Sequence, residues 1–583
     1  MNILLKAGLL IITGLVNAVY ATASPANLNP KMSTQIIANT RLQTSDTFDD
    51  FLTQVLTLHT INQHESLGLA INKYRAKETL NEGQLHQLQR LLGLYTRIKH
   101  GQDAIETLAQ LVAIPTFRVE GVAQHDNPQF YLMADAIAAI AKKFNLAFRN
   151  IDNRVFEVSL KGSSDEVVGI HAHADVVPVT PSLWVLEDGT QLDPFKLTLI
   201  GDRMYGRGAE DDKNGIVVTM YAMKVIQEEN IPLLRHFHLL IDTTEETSSD
   251  AIPYYFARNP TPNYNLALDG GYPVVIAEKG SGGVMATFPV RAGQANSKAS
   301  AEIVAITGGL AMNQIPGASV AQINSADAAS LMTQLHKLAS QFIQANGGNF
   351  TITASKASYG VELTVKGISA HSSEPESGVN PVSRMLAFIA FAQQQTPMFS
   401  SNHITDAASY VAANWGISYL GQNLGIGFAD DFMGPLTHSV TLINLNETSL
   451  QVGVNLRVPV GREVDDIKQD ILAKLALWKQ KSGINVELSA GIRAPMYRNP
   501  EGYWVNALLD VATENLAMPR VFGSSNGGTS VHNLPNGVQF GLAMPNEKYT
   551  GHNANEFKRV EQFLLDLQII TEMIARVGQI PQL

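Results

Sequence analysis

The sequence predicts an α/β protein: a doubly wound layer, an inserted α+β domain and a helical amino-terminal extension. Three observations carry that prediction. Helical segments alternate with short apolar strand segments over 101–282 and again over 493–583, as in a sheet covered by helices. Between them, 283–492 changes to many short alternating strands mixed with helices, which reads as an insertion. The chain has 583 residues, more than one core of about 250–300 residues accommodates.

The elements follow in order. Residues 1–23 read as an export signal: Lys6 gives a positive start, 7–20 is apolar, Ala21-Thr22-Ala23 is a small-x-small cleavage site, and Pro25 follows. That apolar run is shorter than the ~20 residues a membrane span needs, so cleavage and a periplasmic or secreted product are expected. Residues 24–100 form the extension, with helices over 48–58 and 85–98. Its histidines His59, His64, His86 and His100 read as solvated. Beyond residue 101 come helices at 103–112 and 131–144 and strands at 155–160 and 167–174. The last strand is apolar and β-branched, as a buried parallel strand is. A helix at 215–228 and strands at 236–243 and 264–269 continue the layer. Inside the insertion, 360–366 and 450–458 read as strands. After it, a helix at 505–515, a strand at 537–543 and a helix at 559–577 complete the first sheet.

Composition narrows the chemistry. A net charge of −11 argues against nucleic acid as a partner, which would want a basic face. The chain contains no cysteine, so any metal must sit on His, Asp and Glu.

Five segments carry candidate ligands. In His171-Ala172-His173-Ala174-Asp175 the period-two alternation of a strand puts His171, His173 and Asp175 on one face at the strand's end. Two histidines and a carboxylate on an otherwise apolar strand are costly without a partner. Segment 206–215 places Glu210, Asp211 and Asp212 between a glycine turn and a helix, where first-turn carboxylates are also favoured by the helix dipole. Glu245 and Glu246 follow the strand at 236–243, Asp269 ends the strand at 264–269, and His552 lies in 551–556. Together they put His, Asp and Glu at successive strand ends on one rim, where α/β sheets bind ligands. That donor set suits a pair of Zn²⁺ ions, with Mn²⁺ or Co²⁺ as alternatives.

These five segments, in this order, resemble the co-catalytic zinc metallopeptidases that include carnosinases, glutamate carboxypeptidases and aminoacylases. The resemblance runs from about Ile114 to the carboxyl terminus and is closest to the PepV/Sapep-type bacterial dipeptidases. It implies His173 and Asp269 on one metal, Glu246 and His552 on the other, and Asp211 bridging. It also implies Asp175 as the carboxylate that orients His173, and Glu245 as general base. His171 lies outside the matching core and Asp212 matches no ligand position. In the insertion, 308–316 resembles the family's lid segment, whose Asn, here Asn313, touches substrate. The segment 367–375 supplies His371 as oxyanion donor, 455–459 supplies Arg457 for the substrate carboxylate, and Gly528 and Thr529 match a glycine-rich substrate loop.

The resemblance implies hydrolysis of a dipeptide's peptide bond. A carboxypeptidase or N-acyl amino acid deacylase on the same site is the alternative. A non-catalytic periplasmic peptide-binding protein is the reading from another class, which the presence of Glu245 argues against. The insertion is longer than the single lid of the dimeric relatives and resembles a doubled lid, from which a monomer is expected. The Asp269-Gly-Gly-Tyr272-Pro273 and Glu278-Lys279-Gly280 runs also match the dipeptidase branch.

Overall fold

The computed structural model describes residues 28–58, 65–294, 299–309 and 311–583. The expected export signal at 1–23, His59, His64 and Leu310 lie outside the described residues.

A nine-stranded mixed sheet forms the first layer. Its centre is four parallel strands, ordered His236–Asp242, Val167–His173, Tyr264–Ala267 and Gly537–Gln539. Alternation along the strands serves both faces of the sheet. Leu239 and Ile241 enter the main core, whereas Leu240 joins Val155, Ile252 and Tyr255 in a smaller cluster on the opposite face. The main-core face is covered by the helices Glu82–Val112, Lys213–Glu228 and Val560–Gln579, which pack on one another.

The boundary expected at residue 100 falls inside one continuous helix, Glu82–Val112. Gly93 and Gly101 within it are packing notches. A Cβ at Gly93 would stand 2.5 Å from the Gln568 carbonyl oxygen, and one at Gly101 would stand 2.5 Å from the Leu564 side chain. The small residues let the closing helix approach. The extension is therefore not a separate unit: Ile36, Phe51 and Leu67 share the core of the central sheet. His100, expected in solvent, is buried against Tyr221, with ring centroids 5.8 Å apart, and burial pushes it down to about 3.

The strand expected at 537–543 breaks into Gly537–Gln539 and Leu542–Ala543. The inserted region has a core of its own, running from Val284 to Val486. Two four-stranded antiparallel sheets build it. One is ordered Thr437–Leu445, Ser449–Val458, Gly280–Pro289, Glu487–Ile492. The other is ordered Ala301–Thr307, Ala318–Ser325, Gly360–Lys366, Thr351–Ala357. Among the described residues, no helix is long and apolar enough to cross a membrane.

Candidate active site

The parallel strands set the site. His173 pairs in register with Asp242, and His171 with Ala267, so the strands end level. The residues just beyond those ends are Asp175, Glu245, Glu246 and Asp269, which therefore gather on one edge of the sheet, the usual ligand edge of a parallel layer.

His173 is buried. Its Nε2 lies 2.8 Å from Asp211 Oδ1 and its Nδ1 lies 2.9 Å from the backbone carbonyl of Asp175. A carbonyl only accepts, so Nδ1 donates and Nε2 is left facing the cluster. Asp211 Oδ2 lies 3.0 Å from His552 Nε2, and that nitrogen is 2.5 Å from Glu246 Oε1. Three donor sets have ligand atoms within 4.8 Å of one another: His173, Asp211 and Asp269; Asp211, Glu246 and His552; and His173, Glu245 and Glu246. Asp211 belongs to both of the first two sets, the geometry of a bridging carboxylate.

The electrostatics match such a cluster. Burial drives Asp269 well above the usual carboxylate range, and the charges on Asp211 and Glu245 add to it. Burial likewise raises Glu245 to about 8, with Glu246 and Asp175 adding to the effect. Burial alone would raise Asp211, but hydrogen bonds from His173 and His552 hold it well below 3.8. Burial opposes the charge on His552, yet Asp211 and Glu246 hold it up to about 11. A crowd of buried carboxylates that draws protons onto its histidines is a site that wants cations. Imidazole nitrogens and carboxylate oxygens without sulfur fit zinc, manganese or cobalt.

The Asp175 carboxylate stands beside His173, its Oδ1 3.6 Å from Nδ1, and helps hold the ring's proton. It also accepts the backbone N–H groups of Glu245 at 3.2 Å and Glu246 at 3.0 Å, so it fixes the turn that presents both glutamates. The Asp175 backbone carbonyl, 2.9 Å from Nδ1, shares the orienting task. His171 stands apart from the three donor sets, buried with Nε2 at 3.2 Å from Asn265 Oδ1. Asp212 precedes the helix Lys213–Glu228 without a side-chain cap bond.

Two residues outside the sequence reading of the site support it. The Tyr549 hydroxyl donates to Asp211 Oδ2 at 2.5 Å. Glu556, fully buried, accepts the N–H groups of Gly208, Glu210 and Asp211 at 2.9–3.1 Å and pairs with Arg207 at 2.5 Å. It thereby ties the Asp211 turn to the His552 loop. Both lie within or beside the segment 551–556, but their partners are more than 300 positions away. His552 itself has φ +64, an uncommon conformation for a side-chain-bearing residue and one that recurs at functional loops.

The inserted domain brings the other candidates together in part. Gln314–Ile315 pairs with Ala370–His371, and the Asn313 carbonyl accepts the Ser372 N–H at 2.9 Å, so Asn313 and His371 sit side by side and exposed. His371, though its side chain is open to solvent, is lowered to about 4 by partial desolvation, with the charges of Arg457 and His552 adding. Arg457 is 8% exposed and has no carboxylate partner among the described residues; it donates to Asn455 Oδ1 at 3.2 Å and the Asn526 carbonyl at 3.3 Å. Thr529 lines the cleft beside Glu245, but its hydroxyl and N–H are spent on Glu278. Gly528 lies against the Arg493 guanidinium.

Fold and site define a class: an α/β enzyme with an acidic, histidine-bearing cluster at the carboxyl ends of its parallel strands, facing an inserted lid. Residues 169–576 match the profile of peptidase family M20/M25/M40, and the chain belongs to that family and is a peptidase. It is similar to YtjP of Bacillus subtilis (strain 168), which carries a provisional dipeptidase name, with 25% identity over 76% of this chain and 90% of that one. It is also similar to SSP1012 of Staphylococcus saprophyticus, likewise named, with 25% identity over 82% and 98% of the two chains. Among solved structures it is similar to human carnosine dipeptidase 1, at 12% identity and a TM-score of 0.49 over 85% of this chain and 99% of that one.

Proposed function

We propose that this peptidase hydrolyses dipeptides with two divalent metal ions. The observation that carries the reading is the sharing of Asp211 between two ligand sets, with Glu245 beside them. His173 and Asp269 would hold one ion, Glu246 and His552 the other, and Asp211 both. Bound there, the ions supply Lewis-acid polarisation of the scissile carbonyl and lower the pKa of water towards ~7.

The chain's own residues do the rest. Glu245, its backbone fixed by Asp175, takes the proton of the attacking water and returns it to the leaving amine. His371 donates to the oxygen of the carbonyl as negative charge develops, a contact worth about 2.7–4 kcal/mol in comparable sites. The Nδ1 of His371 lies 2.6 Å from Ser373 Oγ, which leaves Nε2 free for that task. Arg457 takes the substrate's free carboxylate with its planar fork. Because it is buried and lacks an ion-pair partner, an arriving carboxylate is its natural counter-charge. The clamp restricts substrates to short ones whose carboxyl end lies near the scissile bond. Dipeptidase names among the relatives support this reading.

The test is a substrate panel with added Zn²⁺ or Mn²⁺. Unblocked dipeptides are expected to turn over fastest. Faster cleavage of N-acetyl amino acids would move the assignment to a deacylase, and faster cleavage of longer peptides to a carboxypeptidase.

The mature chain is further proposed to be exported after cleavage at 1–23. Amino-terminal sequencing of protein from the periplasmic or secreted fraction should begin just after residue 23. A monomer is proposed as well. It rests on the doubled lid that the insertion resembles, and His371 lies close enough to His552 of its own chain to feel its charge.

A further inference from the structure

Across one lid sheet, Ser281 stands between two arginines. It pairs in register with Arg457 on the strand Ser449–Val458. On its other side the ladder runs Gly282 to Ile492, and the next residue, Arg493, donates its N–H to the Ser281 carbonyl at 2.8 Å. Directly opposed residues of antiparallel strands project to one face. Strands lie about 4.8 Å apart, so the two arginine backbones stand roughly 10 Å from each other on the same face.

Both side chains reach one loop. Arg457 Nη1 donates to the Asn526 carbonyl, and Arg493 Nη2 lies 2.3 Å from the place where a Cβ of Gly528 would be. The glycine is what admits the guanidinium. Arg493 has no side-chain hydrogen bond or ion pair among the described residues. Its neighbours are committed elsewhere. Lys279 and Arg498 donate to backbone carbonyls, and the buried Glu278 accepts from Thr529, His532 and Gln539.

A cavity of about 590 Å³ joins this arginine to the reaction centre. Glu245 lies at its wall with Arg493 and Ser281, and Ile252, Phe256 and Leu534 give it an apolar side. A guanidinium whose one nearby carboxylate, Glu278, is committed to Thr529, His532 and Gln539, and which faces a cavity apolar on one side and open to the base on the other, suits an anion on a short aliphatic stem.

We propose that Arg493 selects an acidic side chain, so that the preferred substrates are dipeptides containing glutamate or aspartate. The methylenes lie on Ile252, Phe256 and Leu534, the side-chain carboxylate meets Arg493, and Arg457 keeps the main-chain carboxylate. This rests on the dipeptidase reading and names its substrate class.

The test compares isosteres on the zinc-loaded full chain: Ala-Glu against Ala-Gln, Glu-Ala against Gln-Ala, and Ala-Ala as reference. At one of the two positions, wild-type kcat/KM should favour the acid by about tenfold or more, as a charge-assisted hydrogen bond does. In Arg493→Gln that ratio should fall to near one. Arg493→Lys should keep part of it, and Arg493→Glu should turn the preference towards lysine at that position. The Arg457→Ala variant should retain the Glu/Gln ratio even as it loses overall efficiency. Cleavage of Ala-Ala with no Glu/Gln discrimination, or a ratio that survives in Arg493→Gln, overturns the assignment and leaves the dipeptidase reading standing. If none of the dipeptides is cleaved, that reading fails and the acidic selection fails with it.

Discussion

Glu245→Gln separates the base from the metal ligands. The change is isosteric and exchanges one carboxylate oxygen for an amide. The backbone N–H of Glu245 still reaches Asp175 Oδ1 at 3.2 Å, so the turn carrying Glu246 keeps its anchor. The sets His173–Asp211–Asp269 and Asp211–Glu246–His552 keep every ligand. What is lost is a proton acceptor beside both sets. A positioned general base contributes about 10²–10⁴ in rate, or about 2.7–5.4 kcal/mol at 1.36 kcal/mol per decade. The variant's kcat should fall by that factor with KM little changed and about two metal ions still bound. In the chelated protein there is a second readout. Wild-type Glu245 is raised to about 8, so its contribution to stability is present below pH 4.5 and is lost as pH rises through 8. Glutamine has no such loss, so over that window the chelated variant should gain stability relative to chelated wild type. Steady-state kinetics, elemental analysis and pH-dependent thermal unfolding cover the three readouts. A variant that keeps a tenth of kcat refutes the base assignment. One that loses a single metal ion shows the two glutamates to be reversed.

Elemental analysis of protein purified without chelator should approach two metal ions per chain, and Asp211→Asn should weaken both sites together because both sets share that carboxylate; stepwise loss of one ion only would break the bridging assignment. Arg457→Ala should lower kcat/KM for dipeptides by about 30-fold or more and abolish discrimination between free acid and amide, measured with amidated substrates. Glu556→Ala leaves Arg207 and three N–H groups unpaired in the interior, so urea unfolding of the metal-free protein should show a loss of about 3–5 kcal/mol; a loss below about 1 kcal/mol would mean that the Asp211 turn is held by other contacts. Light scattering should give the mass of one chain, and a value near twice that would count against the monomer.

The sequence made the grouping of the site's histidines and carboxylates legible because strand alternation and strand ends are local. Val167–His173 carries its ligand by period two, and Glu245, Glu246 and Asp269 each stand within four residues of a strand's last residue. Where the reading failed, the deciding contact was distant. The extension was ended at residue 100, between helices expected at 85–98 and 103–112, because nothing near Gly101 reveals Leu564, whose side chain occupies the notch. His100 was placed in solvent because Tyr221 lies 121 positions away in the chain. Asp175 was assigned only to His173, because nothing in its own segment reveals that its carboxylate also anchors a turn arriving from the neighbouring strand. Tyr549, Glu556 and Arg493 sat in view without roles, since their partners come from other elements.

The charges of the cleft explain why such a chain would act on small zwitterions. On the sheet side, Asp211, Glu245, Glu246 and Asp269 leave a surplus of negative charge for cations to offset. On the lid side, Arg493 lines the cavity, Arg457 is buried without a carboxylate partner among the described residues, and Glu278 is committed to Thr529, His532 and Gln539. One cavity touches Glu245 and Arg493, so both poles act on a single bound molecule. The chain's net charge of −11 would repel an anion at long range, but fields of that kind are screened within about 8–10 Å in physiological salt. Inside the cleft, Arg493 shares one cavity with Glu245. A substrate extended on the carboxyl side of the scissile bond would, on the dipeptidase reading, have to push uncharged backbone past Arg457, leaving the guanidinium desolvated and unpaired. On that reading, a preference for substrates whose carboxyl end lies close to the scissile bond would come from the cost of an unanswered buried charge, without any need for a steric wall.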